Sequence, residues 1–296
     1  MLRVLLIGSN GYIGSRFYSD YKNKYYFNLV DNCLHNKALF EDTINQDFKS
    51  LSNYFIQSFD AVVLLAGHSS VPMCRGNFLT SYKNNVDNFV DLISKLNKTQ
   101  KFIYASSSSV YGVVDSPVDE NHLCFKTYEN YDTQKIIIDL IANQMDLNYY
   151  GLRFGTVNGY SPHTREDIML NAMTKSAWEK NEVNIFNPKT KRPILAVGDL
   201  ARAIDCIIQS KDDNHGIYNL ASFNSNVLYL GTEVANYFNV NIKNNGDNGN
   251  KTYDFAIDSS KFKNTFNFEF RYDIKKILQE LDFYKNELKW TKLNIS

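Results

Sequence analysis

The sequence predicts an α/β protein in which a doubly wound parallel sheet carries a smaller α+β lobe. Three observations predict it. Over roughly the first half of the chain, short Val/Leu/Ile runs alternate with stretches of helical periodicity, the pattern of strand–helix–strand units. A glycine-rich turn stands between the first run and the first helical stretch. After about residue 150 the strands become shorter and the rhythm looser. Length and composition agree: 296 residues, 44% apolar and 22% charged, suit one large domain or a domain with a lobe and exclude a disordered chain. The 32 basic and 32 acidic residues balance, so the surface lacks the footprint of a nucleic-acid binder.

Residues 2–7 contain Val4-Leu5-Leu6-Ile7 and end at Gly8, which reads as a strand buried on both faces. The run is too short for a secretory core and has no small-residue cleavage site. No stretch approaches the roughly 18 apolar residues of a membrane span, so a cytoplasmic location is expected. Cys33, Cys74, Cys124 and Cys206 form no C-x-x-C pair and read as reduced thiols. No metal site is expected, because His68, His122 and His163 lack ligand spacing.

A helix is expected over Gly11–Tyr21, then a strand over Phe27–Asp31 and further strands at Ala61–Leu65 and Lys101–Ala105. Between the last two, Phe78, Val86, Phe89, Val90, Ile93 and Leu96 mark a helical face. Later strands are expected at Val183–Phe186 and Ile217–Leu220, with helices near 167–179, 199–210 and 228–238. Asn241–Lys251, rich in Asn, Gly and Lys, reads as a surface loop, and Tyr272–Leu288 as a C-terminal helix. The division expected is a first domain over 1–155 and a lobe over 156–296, with residues near 190–220 returning to the first domain.

Gly8-Ser9-Asn10-Gly11-Tyr12-Ile13-Gly14 has the spacing G-x-x-G-x-x-G after a strand and at the opening of a helix. Glycines there permit a tight turn and close backbone approach, so that a pyrophosphate can sit at the positive end of the helix. The spacing and its place predict a Rossmann-type dinucleotide site; the alternative is a strand-to-helix turn with incidental glycines. Asp31, at the end of the second strand, stands close to the roughly 20-residue offset at which an acid binds the adenine ribose hydroxyls. A carboxylate there repels a 2'-phosphate and points to NAD as cofactor; the alternative is an ordinary strand-end turn aspartate. Farther on, Tyr131 and Lys135 lie one helical turn apart on one face, which sets an ammonium near a phenol. Tyr18 and Lys22 repeat that spacing, but no serine-bearing strand leads into them.

The ordered set Gly8/Gly11/Gly14, Asp31-Asn32, Leu65-Ala66-Gly67, Asn85-Val86, Ser106-Ser107 with Val110-Tyr111-Gly112, Tyr131/Lys135 and Leu152-Arg153 resembles the extended short-chain dehydrogenase/reductase family. Within it, the nucleotide-sugar epimerase/dehydratase branch typified by UDP-galactose 4-epimerase is the most similar. The resemblance continues through Gly159–Arg165, Arg192 with Asp199, and Gly216–Leu220, and so covers nearly the whole chain.

The resemblance implies roles. Ser107 would bond the reacting sugar oxygen, Tyr131 would be the general base and acid, and Lys135 would bind the nicotinamide ribose and lower the phenol's pKa. A phenol at about 10 needs roughly 4 kcal/mol of differential stabilisation to act as a base near neutrality. Tyr12 and Ile13 would lie against the pyrophosphate, Asn32 beside Asp31 at the ribose, and Asp47 and Phe48 near adenine. Leu65, Ala66 and Gly67 would run along the cofactor with Asn85 behind it. Arg165 and Arg192 are planar donors suited to a substrate diphosphate. Here the family's R-x-x-I-H-V becomes Arg192-Pro193-Ile194-Leu195-Ala196-Val197, without the histidine, and Tyr253, near Lys251, stands where relatives often carry a second diphosphate arginine.

The reaction implied is oxidation of a nucleotide-diphosphate sugar at C4 with return of the hydride to the opposite face, which is epimerisation. A 4-dehydrogenase or ketoreductase without return is the alternative, since Pro72-Met73-Cys74 and Ser161–Asn171 are similar to segments of GDP-heptose 4-dehydrogenase-like members. A non-catalytic NAD-binding scaffold or regulator is the alternative of another class. Dehydratases of the family place Asp-Glu directly after the catalytic hydroxyl residue, where this chain has Ser108-Ser109, which speaks against 4,6-elimination. Family members commonly pair as homodimers through helices corresponding to 78–96 and 128–145. No nucleic-acid or membrane partner is expected.

Overall fold

The computed structural model describes residues 1–34, 38–115, 117–122, 124, 127–211, 213–249 and 253–291. Its central sheet is built from strands that bury both faces. The strands Arg3–Ile7 (β1), Tyr26–Asp31 (β2), Thr43–Asn45 (β3), Ala61–Leu64 (β4), Lys101–Ser107 (β5) and Asn148–Phe154 (β6) run parallel in the order β6-β5-β4-β1-β2-β3. Alternation along each strand divides the core. Val4, Leu6, Val63 and Ile103 pack with Phe17 of the helix Tyr12–Tyr21 (α1), while Leu5, Ile7, Val62 and Phe102 pack on the other side.

Connections between β3 and β5 include Asn53–Ile56 (α2), Val71–Arg75 (α3), Phe78–Tyr82 (α4) and Asn88–Ser94 (α5). The single helix expected across 78–96 is interrupted by a π-helical turn at 83–87, which holds Asn85 and Val86 buried. Between β5 and β6 runs Asn130–Gln144 (α6). Order reverses between β1 and β4, with β2 and β3 on one side and β5 and β6 on the other, so a crevice opens beyond the carboxyl ends of these strands.

The remaining chain continues with Thr156–Asn158 (β7), Thr164–Arg165 (β8), Met169–Lys180 (α7), Glu182–Ile185 (β9), Lys191–Ala196 (β10) and Val197–Gln209 (α8). Next come Gly216–Leu220 (β11), Phe223–Asn226 (β12), Val227–Phe238 (α9), Asn241–Asn244 (β13), Ser260–Phe266 (α10), Ile274–Phe283 (α11) and Trp290–Thr291 (β14). Strand β11 extends the central sheet to seven strands by pairing parallel with β6, and α8 packs beside α1. Helices α7, α9 and α11 close a separate core over β9 and β10 through Leu170, Val183, Ile194, Leu230 and Ile277.

Two expectations about the later chain are corrected. The first four residues of the predicted loop form β13, which pairs parallel with β9 from Asn241↔Glu182 to Asn244↔Ile185. Asn-Ile-Lys-Asn carries no alternating apolar signal, and the partner strand supplies the hydrogen bonds that make it extended. Asn250, Lys251 and Thr252, which include the end of that predicted loop, lie outside the described residues. The C-terminal helix is shorter than Tyr272–Leu288: Asp273 caps its start by accepting a bond from the Lys276 amide at 2.8 Å, and the helix stops at Phe283.

A buried charge network locks α6 onto the sheet. Asp139 Oδ2 accepts bonds from Arg153 Nε at 2.9 Å and Ser106 Oγ at 3.0 Å, while Oδ1 accepts one from Tyr104 OH at 3.1 Å. Arg153 Nη1 continues to Tyr111 OH at 2.8 Å, and that phenol donates to Asn219 Oδ1 at 2.8 Å. Removing one member strands the other's charge in the interior, so Asp139→Ala is expected to cost about 3–5 kcal/mol in urea unfolding. The pair replacement Asp139→Leu/Arg153→Met should recover most of that loss.

Candidate functional site

The cleft at the reversal point holds about 520 Å³ and is walled by the glycine turn, the ends of β2, β4 and β5, the start of α6 and the segments carrying Arg165, Arg192 and Tyr253. Geometry explains the glycine spacing. Gly8 adopts φ +90°, and a side-chain carbon there would lie 2.5 Å from the Ala66 amide nitrogen. At Gly14 it would lie 2.1 Å from the Gly8 carbonyl oxygen. Gly11 occupies the N-cap of α1 with no side-chain cap, so backbone N–H groups at that end of the helix face the cleft edge.

Asp31 ends β2, where its carboxylate accepts bonds from the amides of Asn10 at 3.0 Å and Cys33 at 2.8 Å. It is therefore both a turn aspartate and a cleft residue, and it ties β2 to the glycine turn. Asn32, Asp47, Phe48, Leu65, Ala66 and Gly67 also line the cleft, as do Tyr12 and Ile13. Asp47 caps a short turn by accepting the Lys49 amide at 3.1 Å, and Phe48 is buried beneath it. Asn85 is the exception. Its amide holds the His68 backbone at both ends, accepting at 2.8 Å and donating at 3.1 Å, and donates to Gln134 Oε1 at 2.7 Å. It supports the loop after β4 from one layer behind the cleft.

Ser107, Tyr131 and Lys135 come together in the same cleft as the glycine turn. The run Ser106–Ser109 lines the cleft and sorts its hydroxyls by partner: Ser106 bonds Asp139 and Ser108 the Phe154 carbonyl at 2.7 Å, whereas Ser107 and Ser109 bond each other at 2.8 Å. Lys135 Nζ donates to the Ala105 carbonyl at 2.7 Å and lies 5.6 Å from the centre of the Tyr131 ring. Burial lowers the Lys135 pKa to about 8, and burial raises that of Tyr131 to about 12 against the lowering effects of Ser107 and Arg165. Protein groups alone thus leave the phenol protonated at neutral pH.

Arg165 and Arg192 also line the cleft. Arg165 is held in a two-pronged pair with Asp167, at 3.0 and 2.6 Å. The half-buried Arg192 side chain sets its guanidinium 5.8 Å from the centre of the Tyr253 ring, and desolvation lowers its pKa. Sequence reading passed over Asp132, which sits next to Tyr131, is fully buried, and accepts Ser109 Oγ at 2.6 Å and Tyr253 OH at 2.8 Å. Its one visible signal, the Glu129-x-x-Asp132 spacing, marks a helix start, and Asp132 does accept the Glu129 amide at 3.2 Å. His163, read as a polar loop residue, is buried with Nδ1 2.5 Å from the Asn10 carbonyl oxygen.

A family model described as the NAD dependent epimerase/dehydratase family matches residues 4–221. The chain belongs to that family. NAD is accordingly its cofactor, and the glycine turn with Asp31 at its edge provides the donors and the close backbone approach that a dinucleotide needs. Among curated relatives, Protein CapI of Staphylococcus aureus is 26% identical over 240 residues, spanning 70% of each chain. UDP-glucuronic acid 4-epimerase from Bacillus cereus, solved with UDP-glucuronic acid and NAD, superposes with a TM-score of 0.82 at 20% identity over 96% of this chain and 99% of that one. An NAD-dependent NDP-hexosamine 5,6-dehydratase, TunA, superposes with a TM-score of 0.84 at 16% identity, over 97% of this chain and 98% of that one. These superpositions establish the shared fold. No helix among the described residues is long and apolar enough to cross a membrane.

Burying Lys135 has a pH-dependent cost. Between about 8 and its ordinary 10.5 the unfolded chain holds the extra proton, so stability rises with pH across that window and the penalty is complete below it. Lys135→Met should therefore be more stable than wild type by about 1–3 kcal/mol at pH 7. In urea titrations that advantage should shrink as pH climbs from 8 to 10.5.

Proposed function

We propose that this protein is an NAD-dependent nucleotide-sugar epimerase that oxidises the sugar at C4 by hydride transfer to NAD and returns the hydride to the opposite face. The observation that carries this reading is the convergence of Ser107, Tyr131 and Lys135 in the same cleft as the glycine turn. Gly8, Gly11, Tyr12, Ile13 and Gly14 hold the cofactor diphosphate at the start of α1, Asp31 and Asn32 the adenine ribose, and Asp47 and Phe48 the adenine. Leu65, Ala66 and Gly67 flank the cofactor, and Asn85 steadies the backbone of that loop.

When bound, NAD supplies the hydride acceptor and a positive ring beside the phenol, the sign needed to bring Tyr131 down from about 12. Tyr131 then takes the C4 hydroxyl proton and gives it back after the sugar has turned. Ser107 orients the C4 oxygen, and Lys135 holds the nicotinamide ribose. Arg165 and Arg192 engage the substrate diphosphate. Epimerisation is favoured over elimination because the cleft wall beside Ser107 offers hydroxyls, and the nearest acid behind it, Asp132, is fully buried. The four free thiols suit a cytoplasmic enzyme. Exposed Phe78 and Leu79 on α4, Val90 on α5 and Leu140 on α6 support a homodimer formed through these helices.

Purified protein incubated with NAD and UDP-, GDP- or dTDP-sugars is expected to yield the C4 epimer by NMR without NADH build-up. Accumulating NADH with a keto sugar would instead identify a dehydrogenase. Tyr131→Phe should lower kcat by at least about 100-fold; a variant as active as wild type removes the assigned base, and no turnover of any sugar favours the scaffold reading. Light scattering should give twice the chain mass, and Leu79→Glu combined with Leu140→Glu should give monomer.

A further inference from the structure

The wall of the cleft around Ser107 and Ser109 has a fixed hydrogen-bond polarity. Asp132 lies behind it with no solvent contact and accepts four approaches: Ser109 Oγ at 2.6 Å, Tyr253 OH at 2.8 and 3.1 Å to its two oxygens, and the Glu129 amide at 3.2 Å. A carboxylate only accepts, so the single hydroxyl hydrogen of Ser109 points at Asp132. Ser107 and Ser109 are 2.8 Å apart, and with the Ser109 hydrogen engaged, Ser107 is the donor in that contact. Tyr253 has likewise turned its hydrogen to Asp132. Ser109 and Tyr253, their hydrogens turned to Asp132, can only accept from a ligand, and the Asp132 carboxylate, its pKa raised by burial, stands one atom behind them.

No ion pair neutralises Asp132 among the described residues. Nearby cations are committed elsewhere: Arg165 pairs with Asp167, Lys135 bonds the Ala105 carbonyl, and the Arg192 guanidinium lies over the Tyr253 ring, 5.8 Å from its centre. We infer that Asp132 is a specificity-determining residue that makes this wall a hydrogen-bond acceptor, selecting a neutral sugar whose hydroxyl or amide donates to it and rejecting a uronic acid. This rests on the nucleotide-sugar reading and names the sugar class within it. A sugar carboxylate against Ser109 would meet an oxygen with no hydrogen left to donate and the Asp132 charge behind it. At an effective dielectric of about 20, two charges about 6 Å apart repel strongly enough to weaken binding by roughly 100-fold.

The test is binding and turnover of UDP-glucose against UDP-glucuronate, and of UDP-galactose against UDP-galacturonate, with the NAD-loaded protein. Wild type should favour the neutral member of each pair by at least about tenfold in kcat/KM. Asp132→Asn, which keeps an accepting oxygen but no charge, should shrink that ratio about tenfold or more. A merely structural role would lower both members together and leave the ratio where it was. Equal or better use of the uronates by wild type overturns the inference without any variant, as does an unchanged ratio in a folded Asp132→Asn protein. The same pairs are offered as their GDP and dTDP forms, and failure to bind any of them overturns the nucleotide-sugar reading itself, an outcome distinct from binding without discrimination.

Discussion

The structure depends on one buried pair, Asp139 with Arg153. Arg153 rises from β6 and Asp139 comes from the middle of α6, so their 2.9 Å contact fixes the rotation and height of that helix over β5. Tyr131 and Lys135 are two and one turns upstream of Asp139 on the same helix, and Ser106, which bonds Asp139, immediately precedes Ser107. A single carboxylate thus sets the register between the strand bearing the hydroxyl and the helix bearing the phenol and ammonium. A hydrophobic contact is non-directional and would tolerate a slide along the helix, whereas a charged bond with two further donors does not.

A second set of polar contacts joins the glycine turn to the later chain. Tyr12 OH donates to the Gly159 carbonyl at 2.8 Å, Ser15 and Ser161 share a 2.8 Å bond, and Arg16 reaches Glu280 of α11 at 2.8 Å. Asp199 plays the same part from α8, accepting Ser222 Oγ at 2.8 Å and the amides of Arg271 and Tyr272. Tyr12, Ser15 and Arg16 thus make the helix after the glycine turn the seat of the segment leading to Arg165.

Zero net charge coexists with this cleft because the charges are placed rather than abundant. Backbone N–H groups at the start of α1 contribute positive potential without any side chain, and the two cleft arginines are each held in place, one by Asp167 and one against Tyr253. Asp132 adds a local negative patch within a few residues of the phenol. Overall balance therefore excludes a polyanion-binding surface while saying nothing about the sign at any single point in the site.

The parallel sheet, the glycine turn and the Tyr131/Lys135 pair were legible because each is a local pattern. An apolar run, a spacing that only glycine satisfies, and two residues one helical turn apart all depend on neighbours close in the chain. Asp132 and Tyr253 were not legible as a unit, since 121 residues separate them and each alone reads as a helix-start acid and an ordinary aromatic. Strand β13 escaped notice for the same reason, its extended form coming from β9 rather than from its own residues. By itself the sequence determined the fold class, the glycine turn that opens the first helix and the one-turn spacing of Tyr131 and Lys135. Only the tertiary structure decided which partners the four serines bond, which way their hydrogens point and what stands behind them, because hydrogen-bond polarity belongs to partners brought together by folding and not to any residue alone.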